Sequence, residues 1–464
     1  MSVLNRVRVI AVFASAIILL SFGSVLLNLS SDSETFYVGI SYCGQSVEEA
    51  KLLIDRVKDY TNLFVLQSGP LQLDPDTINE IVDYAVSSGM YFMVFFGTQN
   101  QAYLESWLKT GEGQWGDRFL GVYYGDEPAG KMLDSRVVIN KTIIKDTGVL
   151  SVTRSDGSSV HYFVDGSVIL ITNGTIIEYE PNGEIRMYRF PDRMPSIDPS
   201  NSTEGPTNQM SQPVKGSVDP SQVESYEDLW DSHPFPTYES ITNFFINDRQ
   251  SKLGYLHKNS IKAFTSDYGL YWFDYKAGYD VVLAQFGWNH TLAQDIALAR
   301  GAARLQNKPW GTIITWKYNE PPYLDGGPEI YNQMRTAYEA GAEYVVIFNY
   351  AEDMEGPYGT LQEEHFAALE RFWNEVMQSY AVKHGSVKAE TVLVLPENYG
   401  WGMRRLDDKI WGLWEADEKS EQIWKLLNEL IQEYGFTLDI VYDDPSYPIT
   451  NNYKQIYYWN QTID

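Results

Sequence analysis

Apolar runs alternate with amphipathic stretches from residue 37 onward, and this alternation predicts strands joined by helices. Ser46 followed three residues later by Glu49 is a capping-box pair that predicts the start of the first helix. Asp74-Pro75 predicts the start of the second helix. Short loops between strands and helices favour a parallel sheet with right-handed crossovers. The predicted strands of this first part are 37–44, 62–69, 91–98 and 119–128.

The alternation stops beyond the fourth predicted strand. Residues 135–192 show no helical period and carry short β-type runs separated by Asp-Gly and Asn-Gly pairs, which predicts a β-meander of hairpins. Residues 193–222 are rich in Pro, Ser, Asn and Asp and contain little to bury, so we predict a flexible linker there. Both segments are predicted to form an insertion in the connection after strand four.

Four further strand–helix units follow the insertion. Eight units are the number that closes a (β/α)8 TIM-type barrel, so we predict an α/β barrel over 36–380. An open, doubly wound sheet is the alternative, although it rarely needs eight units with strand ends this polar. The predicted strands are 261–267, 281–288, 310–318 and 343–350, and the predicted helices are 237–257, one capped by Thr291, 328–340 and 361–379.

The last segment, 388–464, is predicted to be a small three-stranded α/β module. Its strands are expected at 391–396, 436–442 and 455–460, with a helix at 418–434. It has no GxGxxG or GxxxxGK phosphate loop, so we interpret it as a packing or assembly module and not as a nucleotide site.

The N-terminal segment, 1–35, indicates targeting to a membrane. Arg6 and Arg8 precede an apolar run over 9–29, which is long enough for a helix across a hydrocarbon core of about 30 Å. We expect an uncleaved membrane anchor, and a cleaved signal peptide is the alternative. The basic flank predicts that the bulk of the chain lies outside the cytoplasm. Sequons beginning at Asn140, Asn173 and Asn201 are compatible with a surface glycoprotein.

Charge and cysteine content narrow the classes of partner. The formal net charge of −27 repels phosphate backbones, so we expect no nucleic-acid partner. Cys43 is the only cysteine, which excludes an intrachain disulfide and a cysteine metal cluster. The six histidines show no metal-ligand spacing, so neither a metal nor another cofactor is expected. The oligomeric state is left open.

The functional face of such a barrel lies at the carboxyl ends of its strands. Carboxylates, amides and aromatic rings follow the predicted strands, and this composition suits a carbohydrate ligand, since aromatic rings present an apolar face beside a polar edge. Packing is the other explanation for most of these rings. The predicted substrate-binding residues are Tyr42, Gln67, Tyr124, Trp272, Gln285, Trp288, Asn289, Trp316, Lys317, Asn349 and Tyr350.

Glycoside hydrolysis requires one carboxyl group that protonates the leaving oxygen and a second that attacks the sugar or activates water. Glu127, in the Gly-Asp-Glu-Pro turn after strand four, is the first candidate. Asp126 beside it would raise its proton affinity by like-charge repulsion. The alternative is that both acids cap the next segment. The second carboxylate is left open among Glu320, Asp274, and the acids Glu352 and Asp353 after strand eight.

These features resemble the barrel glycoside hydrolases. The closest analogy is the large clan whose proton donor is a glutamate in an Asn-Glu-Pro turn after strand four and whose nucleophile is a glutamate at strand seven. The resemblance implies that Glu127 is the donor, with Asp126 standing where that clan has asparagine, and that Glu320 is a loose match to the nucleophile. The C-terminal module is also similar to an arrangement in some β-galactosidases.

Two functions follow as hypotheses. The first is an extracytoplasmic glycoside hydrolase that acts on a carbohydrate by a two-carboxylate mechanism. The second is a non-catalytic, surface-anchored protein that binds glycan or serves a structural role on a degenerate barrel. A metal-dependent hydrolase such as a deacetylase fits poorly, because the His/Asp ligand cluster that it requires is missing from the sequence.

Overall fold

The computed structural model describes residues 35–461 apart from 112–113, 135–139, 145–148, 154–158, 163–167, 173–174, 180–184, 190–236, 289, 351–355, 380 and 450–452. The predicted membrane segment (9–29), the predicted linker (193–222), Asn289, Glu352 and Asp353 therefore lie outside the described residues. Within the described part of the chain, no helix is both long enough and apolar enough to span a membrane.

The first half of the barrel follows the predicted alternation of strands and helices. Most residues of its strands are buried, as expected for a parallel sheet covered on both faces. The elements are β1 (Tyr37–Tyr42), α1 (Val47–Val57), β2 (Leu63–Leu66), α2 (Pro75–Ser87), β3 (Tyr91–Phe96), α3 (Gln101–Gly111), β4 (Phe119–Tyr124) and the single turn α4 (Gly130–Leu133).

Helix starts in this half obey the capping signals in the sequence. The Ser46 hydroxyl accepts the backbone N–H of Glu49 at the start of α1. The Asp74 carboxylate does the same for Asp76 at the start of α2, whose first residue is Pro75. The apolar face of α1 is buried and includes Ala50 and Ile54. Local sequence therefore sets where these helices begin and which side faces the core.

The insertion after β4 contains a six-stranded antiparallel sheet, which confirms the predicted β-meander. Each strand pairs with its neighbour in the chain, as hairpins require. The strands are β5 (Asn140–Ile144), β6 (Val149–Thr153), β7 (Ser159–Tyr162), β8 (Val168–Thr172), β9 (Thr175–Tyr179) and β10 (Ile185–Arg189).

The second half completes a closed barrel of eight parallel strands in the order β1-β14-β13-β12-β11-β4-β3-β2. This closure confirms the (β/α)8 prediction over the open-sheet alternative. The elements are α5 (Tyr238–Lys258), β11 (Ala263–Asp267), α6 (Tyr271–Lys276), β12 (Val281–Phe286), α7 (Leu292–Leu305), β13 (Trp310–Ile314), α8 (Gly327–Glu339), β14 (Tyr344–Ile347) and α9 (Glu363–Phe372), which continues into a π-turn (Trp373–Met377).

The C-terminal segment forms the predicted three-stranded α/β module, and the structure shows that its strands are parallel, in the order β16-β15-β17. It packs directly on α7, because a Cβ at Gly301 would lie 2.5 Å from the backbone oxygen of Ile440. Arg300 on the same helix is buried and bonds the Asp439 carboxylate at 2.8 Å. The module is thus attached to the barrel wall by a close backbone approach and a buried ion pair. Its elements are β15 (Thr391–Leu395), α10 (Glu418–Tyr434), β16 (Leu438–Tyr442) and β17 (Gln455–Tyr458).

Candidate active site at the carboxyl end of the barrel

The turn after β4 presents Glu127 in an unusual backbone conformation. Gly125 has φ +70° and Glu127 has φ +53°, in the left-handed region that non-glycine residues seldom adopt. Such a conformation costs about 1–3 kcal/mol and is concentrated at functional sites. The surrounding structure holds it, since the Glu127 N–H donates to the Ser266 carbonyl at 2.9 Å and links the turn to β11.

Asp267, the last residue of β11, secures the next part of the same turn. Its carboxylate accepts the N–H groups of Ala129 and Gly130, each at 2.8 Å, and that of Tyr268 at 2.7 Å. Burial, together with the nearby charge of Glu127, raises the pKa of Asp267 to about 7, although the three N–H donors oppose the rise. Asp267 thus serves as the anchor that holds the Glu127 turn.

The Glu127 carboxyl is fixed by two donors and remains 21% exposed. Gln285, in β12, donates its amide to Oε1 at 2.7 Å, and the Lys131 ammonium lies 3.4 Å from Oε2. The indole N–H of Trp288 donates to the Gln285 oxygen at 3.1 Å. Because an indole nitrogen can only donate, this bond fixes the amide orientation and directs the Gln285 NH₂ group to Glu127.

Asp126 lies beside Glu127 in a second set of hydrogen bonds. Its Oδ1 accepts from the Tyr123 hydroxyl at 2.5 Å and from the Ser266 hydroxyl at 3.0 Å. The Gln285 amide also reaches the Ser266 hydroxyl, at 3.1 Å. Asp126 is 26% exposed, and its other oxygen, Oδ2, lies 3.5 Å from the Lys131 ammonium. The two carboxylates therefore share Lys131 and the Ser266–Gln285 pair.

The electrostatic environment raises the pKa of Glu127. Burial contributes most to raising its pKa, and the negative charge of Asp126 raises it further. The hydrogen bond from Gln285 and the charge of Lys131 act in the opposite direction, and the net shift is upward. A carboxyl group whose pKa is raised toward the working pH can donate a proton and take it back, as a general acid/base must.

Aromatic rings surround the ends of the neighbouring strands β12, β13 and β14. Trp288 follows β12 with φ +53° and is 37% exposed. Trp316 follows β13 and stacks on Tyr323 at 4.5 Å and on Tyr350 at 6.0 Å between ring centroids. Trp288 and Trp316 are themselves 6.2 Å apart. These four rings form an aromatic wall (Trp288, Trp316, Tyr323 and Tyr350), in which Trp288 is exposed and Tyr323 is buried. An exposed aromatic ring is suited to stacking on a sugar ring.

Comparisons with known proteins add a structural likeness. No family model matches the chain, and no curated protein matches it. Among solved structures, it is similar to PbGH5A, a glycoside hydrolase family 5 enzyme from Prevotella bryantii B14, recorded as a mutant in complex with a xyloglucan tetradecasaccharide. The sequence identity is 8%, the match covers 72% of this chain and 96% of that one, and the TM-score is 0.33. Values this low do not bear on the chemistry of the site.

The structure brings together part of the predicted site. Glu127, Asp126, Gln285 and Trp288 form one hydrogen-bonded group at the carboxyl ends of β4 and β12, and Trp316 and Tyr350 belong to the aromatic wall. Lys317 is close by in sequence but forms a 2.8 Å ion pair with Asp325. Glu320 lies on the exposed part of the loop after β13.

Two other predicted residues, Asp274 and Trp272, are buried in α6. Asp274 is 0% exposed, in α6, so it does not line an open cleft. Trp272, in the same helix, packs against Tyr442 and Tyr447 of the C-terminal module. The α6 sequence is aromatic because it is covered on both sides, which the sequence alone does not reveal.

Four more predicted ligand residues lie at or near strand ends in positions that support loops. The Tyr42 hydroxyl donates to the Ser46 carbonyl at 2.8 Å, and that of Tyr124 to the Thr98 carbonyl at 3.4 Å. The Asn349 oxygen accepts the Thr360 N–H at 2.9 Å. Gln67 is half-buried, and its side-chain oxygen is buried without a hydrogen-bond partner among the described residues.

Tyr123, Lys131 and Ser266 were missed by the sequence reasoning. Lys131 follows Glu127 by four residues, and this helical spacing predicts that the two side chains are neighbours. Ser266 directly precedes Asp267 inside a strand, where a serine gives no sign of its partner. Among the described residues, no group of three or more His, Cys, Asp or Glu side chains is placed to hold a metal ion.

Proposed function

We propose that this protein is a glycoside hydrolase that acts outside the cytoplasm, with Glu127 as its general acid/base. The observation that carries the proposal is the Glu127 carboxyl itself. It stands at the end of β4 in a left-handed conformation, is partly exposed, and has a pKa raised by burial and by Asp126. The location outside the cytoplasm rests on the sequence of residues 6–29 alone.

The proposed first step is transfer of the Glu127 proton to the glycosidic oxygen as the bond to the anomeric carbon breaks. Gln285 and Lys131 hold the carboxyl in place and stabilise the carboxylate that remains. In the second step, Glu127 accepts a proton from the water that completes hydrolysis. The aromatic wall, with Trp288 as its most exposed ring, is assigned to stacking on the sugar.

Asp126 is the best supported second carboxylate among the described residues. It is partly exposed beside Glu127, whereas Asp274 is buried and Glu320 lies farther along its loop. Hydroxyl donors from Tyr123 and Ser266 set its orientation. A carboxylate in that position stabilises positive charge that develops on the sugar as the leaving group departs.

Hydrolysis of a panel of labelled oligosaccharides and aryl glycosides by the full chain tests the proposal. We expect Glu127→Gln to lose activity by about 10²-fold or more, the usual contribution of a general acid, while its folding and glycan affinity are preserved. Glu320→Gln is the comparison variant, because it removes the exposed candidate acid. Full activity in Glu127→Gln would remove Glu127 from the mechanism.

The exposed ring of Trp288 also supports the alternative of a protein that binds glycan without cleaving it, because stacking needs no acid. That function would show as saturable glycan binding in the same panel, abolished by Trp288→Ala, with no hydrolysis of any substrate and no effect of Glu127→Gln.

A further inference from the structure

The carboxylates at the barrel mouth are unequally distributed. Considering the last residue of each barrel strand and the three that follow it, acids occur only after β4 and at the end of β11. They are Asp126, Glu127 and Asp267. Asp267 is buried and already accepts three backbone N–H groups, so it is committed to the turn. At these positions, the carboxylates that are left to act on a substrate are therefore Asp126 and Glu127, which are consecutive in the chain.

Asp126 and Glu127 lie side by side and not across a cleft. The Oδ2 atom of Asp126 and the Oε2 atom of Glu127 are 3.5 and 3.4 Å from the same Lys131 nitrogen. Their other oxygens are joined through the Ser266 hydroxyl and the Gln285 amide. A nucleophile must reach the anomeric carbon from the face opposite the bond that the acid protonates. A carboxylate fixed beside the acid is better placed for a neighbouring ring substituent than for that opposite face.

We propose that the substrate is a 2-acetamido-2-deoxy sugar in a 1,2-trans linkage, and that its acetamido oxygen supplies the nucleophile. This inference rests on the proposed hydrolase function and specifies its substrate class. Substrate assistance of this kind is an established departure from the two-carboxylate scheme. The 1,2-trans relation is required because the acetamido group must attack from the face opposite the leaving oxygen.

The step balances within the residues present. Glu127 gives its proton to the leaving oxygen while the C1–O bond breaks and the acetamido oxygen bonds to C1, forming an oxazolinium ion. Asp126 accepts the acetamido N–H on Oδ2 and stabilises the positive charge. Water then adds to C1 and passes its proton to Glu127, and the bond between C1 and the acetamido oxygen breaks. The acetamido group is regenerated with retained configuration at C1.

The arrangement of Asp126 suits this role. An ionised carboxylate is acceptor-only, which matches an amide N–H donor. Tyr123 and Ser266 occupy Oδ1, whereas Oδ2 makes only a 3.5 Å contact with Lys131, whose ammonium donates to the Asp126 backbone oxygen at 2.9 Å. In the proposal, the acetamido N–H takes the place of this long contact on Oδ2. The partly exposed Asp126 is therefore a catalytic residue in the proposal, and Tyr123 and Ser266 are positioning residues.

The test compares aryl 2-acetamido glycosides with the matching 2-hydroxy glycosides, in both anomeric forms, using the full chain. We expect hydrolysis of the 1,2-trans acetamido substrates and at least about 10²-fold lower kcat for their 2-hydroxy counterparts, in line with loss of a group that acts in the transition state. Successive fluorination of the acetyl methyl weakens the oxygen nucleophile, so kcat should fall with each fluorine. This series needs no variant and does not depend on the folding of a mutant.

Variants complete the test. Asp126→Asn should lower kcat on the acetamido substrate by about 10²-fold and flatten its dependence on fluorination. Equal or faster cleavage of 2-hydroxy glycosides, or insensitivity to fluorination, would overturn the inference and leave the hydrolase proposal intact. The same holds if Glu352→Gln or Asp353→Asn loses turnover and azide restores it, because that rescue identifies a protein nucleophile. Absence of hydrolysis in every series would reject the hydrolase function and the inference together.

Discussion

At the scale of single residues, the pKa of Glu127 is set by opposing contributions that come from identifiable side chains. Burial and Asp126 raise it, and Gln285 and Lys131 lower it. The backbone turn that places these groups together is held by Asp267. The protonation of the acid is thus a property of four neighbours, each of which can be altered by one substitution.

The contributions predict shifts of opposite sign. Gln285→Leu removes a hydrogen bond to the ionised carboxylate and Lys131→Met removes a positive charge, so each should raise the pKa of Glu127. Asp126→Asn removes a negative charge and should lower it. The measurement is a ¹³C NMR titration of glutamate carboxyl groups, with Glu127→Gln to assign the signal. An unchanged pKa in all three variants would show that burial alone controls this group.

A buried acid gives a second prediction, one for stability. Burial and the charge of Asp267 raise the pKa of Asp274 well above its usual range. Above pH about 3.9 the unfolded chain loses this proton and the folded chain keeps it, so unfolding becomes easier by up to about 1.4 kcal/mol per pH unit until the folded pKa is passed. Asp274→Asn should remove that slope.

The measurement for Asp274 is the free energy of unfolding by urea at several pH values from 5 to 8. The quantity compared is the difference between the wild type and Asp274→Asn, because other titrating groups cancel in it. Glu329→Gln, at an exposed position, is the control and should leave the pH dependence unchanged. Parallel curves for the wild type and Asp274→Asn would contradict the buried, protonated state.

At the scale of elements, hydrophobic periodicity and helix-capping residues predicted most of the barrel. Tertiary contacts explain the features that these signals missed. Helix α1 was predictable because Ser46 caps its start and its apolar residues recur at helical spacing. Strands ended earlier than their apolar runs, as β13 does at Ile314 with Trp316 already in the loop. The burial of Trp272 was not predictable, since its ring partners Tyr442 and Tyr447 belong to a module more than 110 residues away in sequence.

The contact between α7 and β16 yields a prediction at this scale. Arg300 donates to Asp439 and to the backbone oxygens of Phe436 and Leu438, and both members of the ion pair are buried. Arg300→Met leaves the Asp439 carboxylate with less compensation in the interior, which typically costs about 3–5 kcal/mol. Chemical unfolding measures the loss.

Arg304→Met is the matched control for this contact. Arg304 is 3.5 Å from the same carboxylate but is 35% exposed, so its removal should cost about 1 kcal/mol or less through the ion pair. Adding Asp439→Asn to Arg300→Met should recover part of the stability, because the uncompensated charge is then gone. Equal losses for Arg300→Met and Arg304→Met would argue against the buried pair as the main attachment.

At the scale of the whole molecule, the two additions to the barrel differ in how they are connected. In the six-stranded sheet β5–β10, every strand pairs with its neighbour in the chain, and none pairs with a barrel strand. The C-terminal module instead covers barrel side chains: Phe273 of α6 lies 4.6 Å from Trp411 and 4.8 Å from Tyr442 between ring centroids. The strands of the β5–β10 sheet therefore pair only with one another, whereas the C-terminal module packs against apolar side chains of the barrel wall.

This difference predicts opposite outcomes for two deletions. Removal of 135–222 interrupts no barrel ladder, so the remaining chain should fold and unfold cooperatively near the temperature of the wild type. Removal of 388–464 uncovers Phe273, Trp272 and the Gly301 face of α7, and leaves Arg300 without Asp439. Exposed apolar surface of this kind drives aggregation, so the shortened chain should be insoluble or lack a cooperative thermal transition.

Soluble yield, far-UV circular dichroism and thermal unfolding distinguish the outcomes of the two deletions. If the chain without 388–464 unfolds like the wild type, the barrel closes its core without the module.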